Sequence, residues 1–176
     1  QEFWSSMFWG MSNYFTDDPT IDVGARAAQT IAQLQTATRH LQALAELEIR
    51  NANFCQRIDG WGNYDRFDRD EFDKGQSVLV YAELRNFHSE QTATEYRTLI
   101  HSTIEIVRAG AEEAVLERFD MGQVEDHCRG LRTDFYNNYQ LTIPVNLLPG
   151  AYRLRLIVED QLSGKIATQT LNFIVR

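Results

Sequence analysis

The stretch that decides the fold is Leu148-Pro149-Gly150-Ala151-Tyr152-Arg153-Leu154-Arg155-Leu156-Ile157-Val158-Glu159-Asp160. After the Pro-Gly turn, Tyr152, Leu154, Leu156 and Val158 alternate with Arg153 and Arg155. Successive side chains of a strand point to opposite faces, so this is a strand with one face in a core and the other in water. Ser163-Gly164 then turns the chain back through Ile166 to Val175. The two runs predict an antiparallel hairpin, the unit from which β-sandwiches are built.

Working outward, the same period of two recurs. In residues 77–87 the even positions Val78, Val80, Ala82 and Leu84 are apolar, and the odd positions include Leu79, Tyr81 and Phe87. A strand apolar on both faces is expected at the centre of a sheet. Glu83 lies in that strand and needs a partner, with Arg132 and Arg153 as candidates. Residues 95–107 alternate Tyr96, Ile100, Ile104 and Ile106 with Arg97, His101 and Glu105. Leu47 and Ile49 begin another strand, and the apolar parity then slips to Ala52 and Phe54, as a bulge would make it. Residues 115–119 read as a short edge strand, 121–130 as a helical turn, and 134–144 as a strand. Seven to eight strands over some 130 residues predict a mainly β chain, an immunoglobulin-like or fibronectin-type antiparallel sandwich over residues 44–176.

Residues 1–43 read differently. Phe3, Met7, Met11 and Tyr14 recur at helical intervals, and Trp4, Phe8, Trp9 and Phe15 widen the apolar surface. Such a helix must be covered: by its own domain, by a protein partner or a second copy of the chain, for which Trp4, Phe8 and Trp9 are the candidate interaction surface, or as the stub of a membrane-proximal segment. Residues 16–20 carry Pro19 and break this helix. A second helix starts near Thr20 or Asp22, with Ala27, Ile31, Leu34, Ala37 and Leu41 as a thin apolar stripe suited to packing on another helix.

Charge narrows the partners. The formal net charge is −8, which opposes a nucleic-acid backbone or an anionic membrane surface. No apolar run reaches the roughly 20 residues of a membrane span. Gln1 in place of Met predicts a fragment or a processed product, from which a targeting signal can have been removed.

The segment from Asp59 to Asp73 concentrates polar and aromatic residues. Asp65, Asp68, Asp70 and Asp73, with Glu71, could hold calcium, but Phe72 occupies the third ligand position of an EF-hand order and Asp73 the place of its glycine. The interleaved Arg66, Arg69 and Lys74 instead favour a solvated acidic loop. Trp61, Tyr64 and Phe67 beside acids suit a sugar, whose apolar face stacks on rings while its hydroxyls reach carboxylates. More often, aromatics alternating in this way plug one end of a sandwich core.

Cys55 and Cys128 are either a disulfide, stabilising by roughly 3–4 kcal/mol in the chain-entropy picture, or two buried thiols acting as small apolar groups. His127 stands beside Cys128, but neighbours on a strand diverge, and no nucleophile elbow or phosphate loop accompanies them. A hydrolase is therefore the weakest reading. The chain is expected to be non-catalytic and to use no cofactor.

Phe54-Cys55, Gly60-Trp61-Gly62-Asn63-Tyr64, residues 75–87 and residues 149–160 resemble an uncharacterised, planctomycete-type family of extracytoplasmic bacterial proteins with an immunoglobulin-like sandwich. The resemblance covers residues 45–176 and rests on structural motifs. It implies an exported, envelope-associated module and transfers no catalytic residue.

Overall fold

The computed structural model describes residues 1–16, 22–110 and 114–176. They form two compact units, 1–45 and 46–176.

The larger unit is a mainly β sandwich. Its strands are β1 (Glu48–Gly60), β2 (Asn63–Arg66), β3 (Glu71–Phe72), β4 (Ser77–Arg85), β5 (Glu90–Gln91), β6 (Tyr96–Arg108), β7 (Val115–Cys128), β8 (Asp134–Thr142), β9 (Gly150–Asp160) and β10 (Lys165–Val175). One sheet runs β2-β1-β4-β8 and the other β3-β10-β9-β6-β5, with β7 also pairing β6. Pairing is antiparallel except between β3 and β10, where Ile174 and Val175 lie parallel to Glu71 and Phe72. Alternation sends Tyr152, Leu154, Leu156 and Val158 of β9 and Ile100, Ile104 and Ile106 of β6 inward. They meet Val78, Val80, Ala82 and Leu84 of β4 in one buried cluster. Every residue of that cluster lies between Leu47 and Val175. Ser102 of β6 and Asn137 of β8 both hydrogen-bond the buried Tyr139 hydroxyl, at 2.9 and 3.1 Å, and the Ser102 contact ties the two sheets together.

The β1–β4 register shifts between Arg50 and Asn53, at the expected parity slip. Residues 121–130 depart from expectation: in place of a helical turn, 121–128 continue β7, a strand of 14 residues. This strand pairs only β6 among the described residues. Water reaches much of its length, so no apolar alternation is required of it. A register shift opposite His101 and Thr103, with Gly122 at φ 78°, breaks the period further.

The smaller unit is a helical hairpin of α1 (Glu2–Phe15) and α2 (Val23–Leu44). Asp22 caps α2, its carboxylate accepting the Ala25 N–H at 3.1 Å. Thr20, the other expected cap, lies outside the described residues. The helices run antiparallel: Glu2 meets His40 at 3.4 Å, Gly10 packs at Gln33 and Leu34, and Arg26 donates to the Thr16 carbonyl.

Candidate functional site

Burial along the two helices shows which rows face each other. On α1 the less exposed positions are Phe3, Ser6, Met7, Gly10 and Asn13; on α2 they are Arg26, Thr30, Gln33, Thr36, Ala37, His40 and Gln42. The contact surface of α2 is therefore largely polar, and Thr30 Oγ1 is buried in it without a hydrogen-bond partner. The apolar stripe expected to pack on a helix does so only in part. Of its members Ala37 is buried against α1 and Leu34 reaches Gly10, yet Ile31, Leu34 and Leu41 remain 54%, 44% and 45% exposed.

A second apolar row lies on α1. Trp4, Phe8, Met11 and Phe15 follow a four-three-four spacing and occupy a wedge of roughly 60° on the helix; all are exposed, from 45% to 74%. Seen from its own N-terminus, each row lies clockwise of the surface by which its helix meets the other. In an antiparallel pair that places both rows on one side of the hairpin. Trp9, 65% exposed, falls outside the wedge, across a shallow groove floored by Ser5 and Ser12. Of the three residues expected to form an interaction surface, Trp4 and Phe8 belong to this face and Trp9 does not.

A second cluster occupies the outer face of the four-stranded sheet. Tyr81 of β4 is buried although it points away from the core, because the β1–β2 turn closes over it. Gly62, at φ 64°, donates its N–H to the Tyr81 hydroxyl at 2.8 Å, and that hydroxyl donates to Glu83 Oε1 at 2.9 Å. Glu83 Oε2 accepts from Asn51 Nδ2 at 2.9 Å, and Asn51 has φ 49° in the β1 bulge. Glu83, 6% exposed, is thus satisfied by amide and phenol groups where sequence suggested an arginine; Arg132 pairs with Asp126 at 3.0 Å. Burial, with a smaller push from Glu83, drives the Tyr81 hydroxyl up to about 12.

Around this network the rings form a ladder. Tyr64 lies over Tyr81 at 4.3 Å between centroids, Tyr136 stacks at 5.7 Å on its other side, and Trp61 meets Tyr136 edge-on at 5.9 Å. Trp61 keeps 43% of its surface exposed. Phe67 is not part of it: it packs on Phe72, centroids 5.0 Å apart, against the core. Sequence reasoning found Trp61 and Tyr64 but missed Tyr81, Tyr136 and Asn51, which strand pairing alone brings together.

The four aspartates do not converge. Asp65 is held by Arg57 at 2.9 Å, and burial raises the Asp70 carboxyl above its ordinary range. Asp68 and Asp73 belong to the segment around β3, where the Asp73 N–H donates to Gln76 Oε1. Among the described residues no three His, Cys, Asp or Glu side chains gather as a metal site.

The two cysteines are free, which corrects the disulfide alternative. Cys55 follows the inward Phe54 on β1 and so points to the outer face of the four-stranded sheet, whereas Cys128 ends β7 in the other sheet. Desolvation raises the Cys55 thiol. Beside Cys128, His127 leaves the strand on the opposite face and sits between Glu95 (2.7 Å) and Glu125 (3.3 Å). The Glu95 hydrogen bond raises its imidazole pKa. His127 and Cys128 are not brought together.

No family model matches the sequence, and no curated protein matches it. Among solved structures, an alkylpurine DNA glycosylase, AlkC, of Pseudomonas fluorescens is 11% identical, with a TM-score of 0.42, covering 86% of this chain and 39% of its own. The sporulation control protein Spo0M of Bacillus subtilis is 12% identical, TM-score 0.42, covering 75% and 50%. A superoxide reductase (neelaredoxin) of Ignicoccus hospitalis is 13% identical, TM-score 0.38, covering 75% and 81%. The chain spans half the length or less of the first two. At this level of similarity none of the three bears on what this chain binds or does.

Proposed function

We propose that this chain is a non-catalytic interaction module, in which the sandwich is the scaffold and the helical hairpin is the element that engages another chain. One observation carries the reading: Trp4, Phe8, Met11 and Phe15 stand exposed in a single row on α1. A helix apolar on two sides is stable in water only when both are covered. Within its own unit the sandwich gathers a buried cluster of residues between Leu47 and Val175. Placement in the bacterial cell envelope, after export, follows from the sequence resemblance.

Removing residues 1–45 tests this. The shortened chain is expected to stay soluble, monomeric and folded, with an unfolding midpoint close to that of the whole chain. If it unfolds or aggregates, the helices are part of the sandwich's own stability and the reading fails.

Carbohydrate binding is a second reading, supported by the exposed ring of Trp61 at the end of the tyrosine ladder. Rings presented in this way stack on sugar faces. Trp61→Ala should then abolish retention on a polysaccharide that retains the unaltered chain; no retention on any of a polysaccharide panel ends this reading.

A further inference from the structure

We infer that the occupant of the hairpin's apolar face is a second copy of the same hairpin, the two pairing face to face as a four-helix bundle. This rests on the interaction reading above and names its partner.

The spacing comes first. Positions 4, 8, 11 and 15 of α1, and positions 27, 31, 34, 38 and 41 of α2, each repeat in alternating steps of four and three. That is the 3.5-residue period of a helix that packs along another helix, knobs into holes. Any helix with a single apolar stripe shows the same steps, so the choice of a helical partner rests on the pairing of the two rows, on charge and on area. Both rows lie on the same side of an antiparallel pair, so one face offers two parallel seams, the surface that a two-helix layer needs to meet another two-helix layer.

Charge points the same way. Neither row contains an acid or a base: the α1 row is Trp, Phe, Met, Phe and the α2 row is Ala, Ile, Leu, Thr, Leu. Two identical faces therefore meet without like-charge repulsion, as the self-complementary contact of a twofold dimer requires. α1 carries no lysine or arginine at all, and the chain's net charge is −8, so an anionic lipid surface finds no complement here.

Area and need agree. The seven large side chains of the two rows are 44% to 74% exposed. Together they offer on the order of 800 Å² per copy, the contribution of one partner to a standard-size interface. Within one copy α2 meets α1 through Ala37 and the polar Arg26, Thr30, Gln33 and His40, with Thr30 Oγ1 unpartnered. A 14-residue helix such as α1 is marginal in water by itself. The apolar face is what a dimer would bury.

Light scattering after gel filtration of the whole purified chain tests the inference. At about 100 μM the mass should be twice that of one chain. Phe8→Glu and Leu34→Glu, each in the middle of a row, should halve it, while Trp9→Ser, across the groove, should leave it doubled. Because a monomeric variant can lose its helices, a photo-reactive residue replacing Met11 in an otherwise unaltered chain supplies a second readout. It should give a product of two chains, and the same group at position 9 should not. A monomeric whole chain, or a dimer lost with Trp9→Ser and kept with Phe8→Glu, overturns the inference. If the whole chain is monomeric while the chain lacking residues 1–45 stays soluble and folded, only the identity of the partner has failed. If the shortened chain unfolds or aggregates, the interaction reading falls with it.

Discussion

Tyr81 and Glu83 lie two residues apart on the outward face of β4 and are joined by a 2.9 Å hydrogen bond that water does not reach. The bond exists because Gly62 folds over the phenol and Asn51, in the β1 bulge, holds the other carboxylate oxygen. A bulge, a turn and two residues of a central strand thus converge on one carboxylate.

Tyr81→Phe deprives both the Gly62 N–H and Glu83 of a partner. Leaving such groups unsatisfied costs about 1–3 kcal/mol, read as a lower midpoint in urea. An unchanged midpoint would mean that water replaces the hydroxyl freely.

The same hydroxyl sets an alkaline limit. Its folded value is raised from 10.0 to about 12, so between these values the folded chain keeps a proton that the unfolded chain has lost. The stability it contributes is complete below pH 10 and disappears as pH rises through about 12. The unaltered chain should lose stability in this window more steeply than Tyr81→Phe. Equal slopes contradict this.

His127 runs in the opposite sense of charge. Its pKa is raised above 6.5, first by the Glu95 hydrogen bond, so the charged form is favoured in the fold. That contribution is complete below pH 6.5 and is lost as pH climbs through the raised value. The ring should titrate above 6.5 by NMR, and Glu95→Gln should move its midpoint back down. A midpoint indifferent to Glu95→Gln removes the pairing.

The thiols should behave unequally. Cys128 is partly exposed and Cys55 is buried with its thiol pKa raised. A thiol reagent at pH 8 should modify one group promptly and the second only in denaturant. Two thiols reacting together in the native chain would contradict the burial of Cys55.

Gly10 sets the separation of the helices. A Cβ there would lie 3.3 Å from Gln33 Cβ and 3.7 Å from Leu34. Gly10→Ala should be close to neutral, since the ~1 kcal/mol propensity gain of alanine in a helix offsets a small adjustment. Gly10→Leu should force the helices apart and reduce the helical signal in circular dichroism. A helical signal unmoved by leucine would show that the helices do not pack at this point.

Legibility in the sequence followed the presence of a two-sided environment. β9 and β10 were readable because one face is dry and the other wet, and the bulge of β1 was readable because a parity slip leaves a mark. β7 was not, since a strand wetted over much of its length has no pattern to break. On α2 the apolar stripe was found, but not its direction: Ala37 faces α1 and Leu34 touches Gly10, whereas Ile31 and Leu41 point away and the polar Arg26, Thr30, Gln33 and His40 fill most of the contact. The tyrosine ladder was half readable. Trp61 and Tyr64 stand in one local segment, whereas Tyr81 and Tyr136 join them only through the β1–β4 and β4–β8 pairings. Phe67, in the same segment, turns to the core instead.

Amide hydrogen exchange of the whole chain at low and high concentration tests the central claim most directly. If hairpin faces pair, protection over residues 4–15 and 27–41 should rise with concentration while β4, β6 and β9 are unchanged, and Phe8→Glu should abolish the rise. Equal, weak protection of both helices at every concentration would contradict the account.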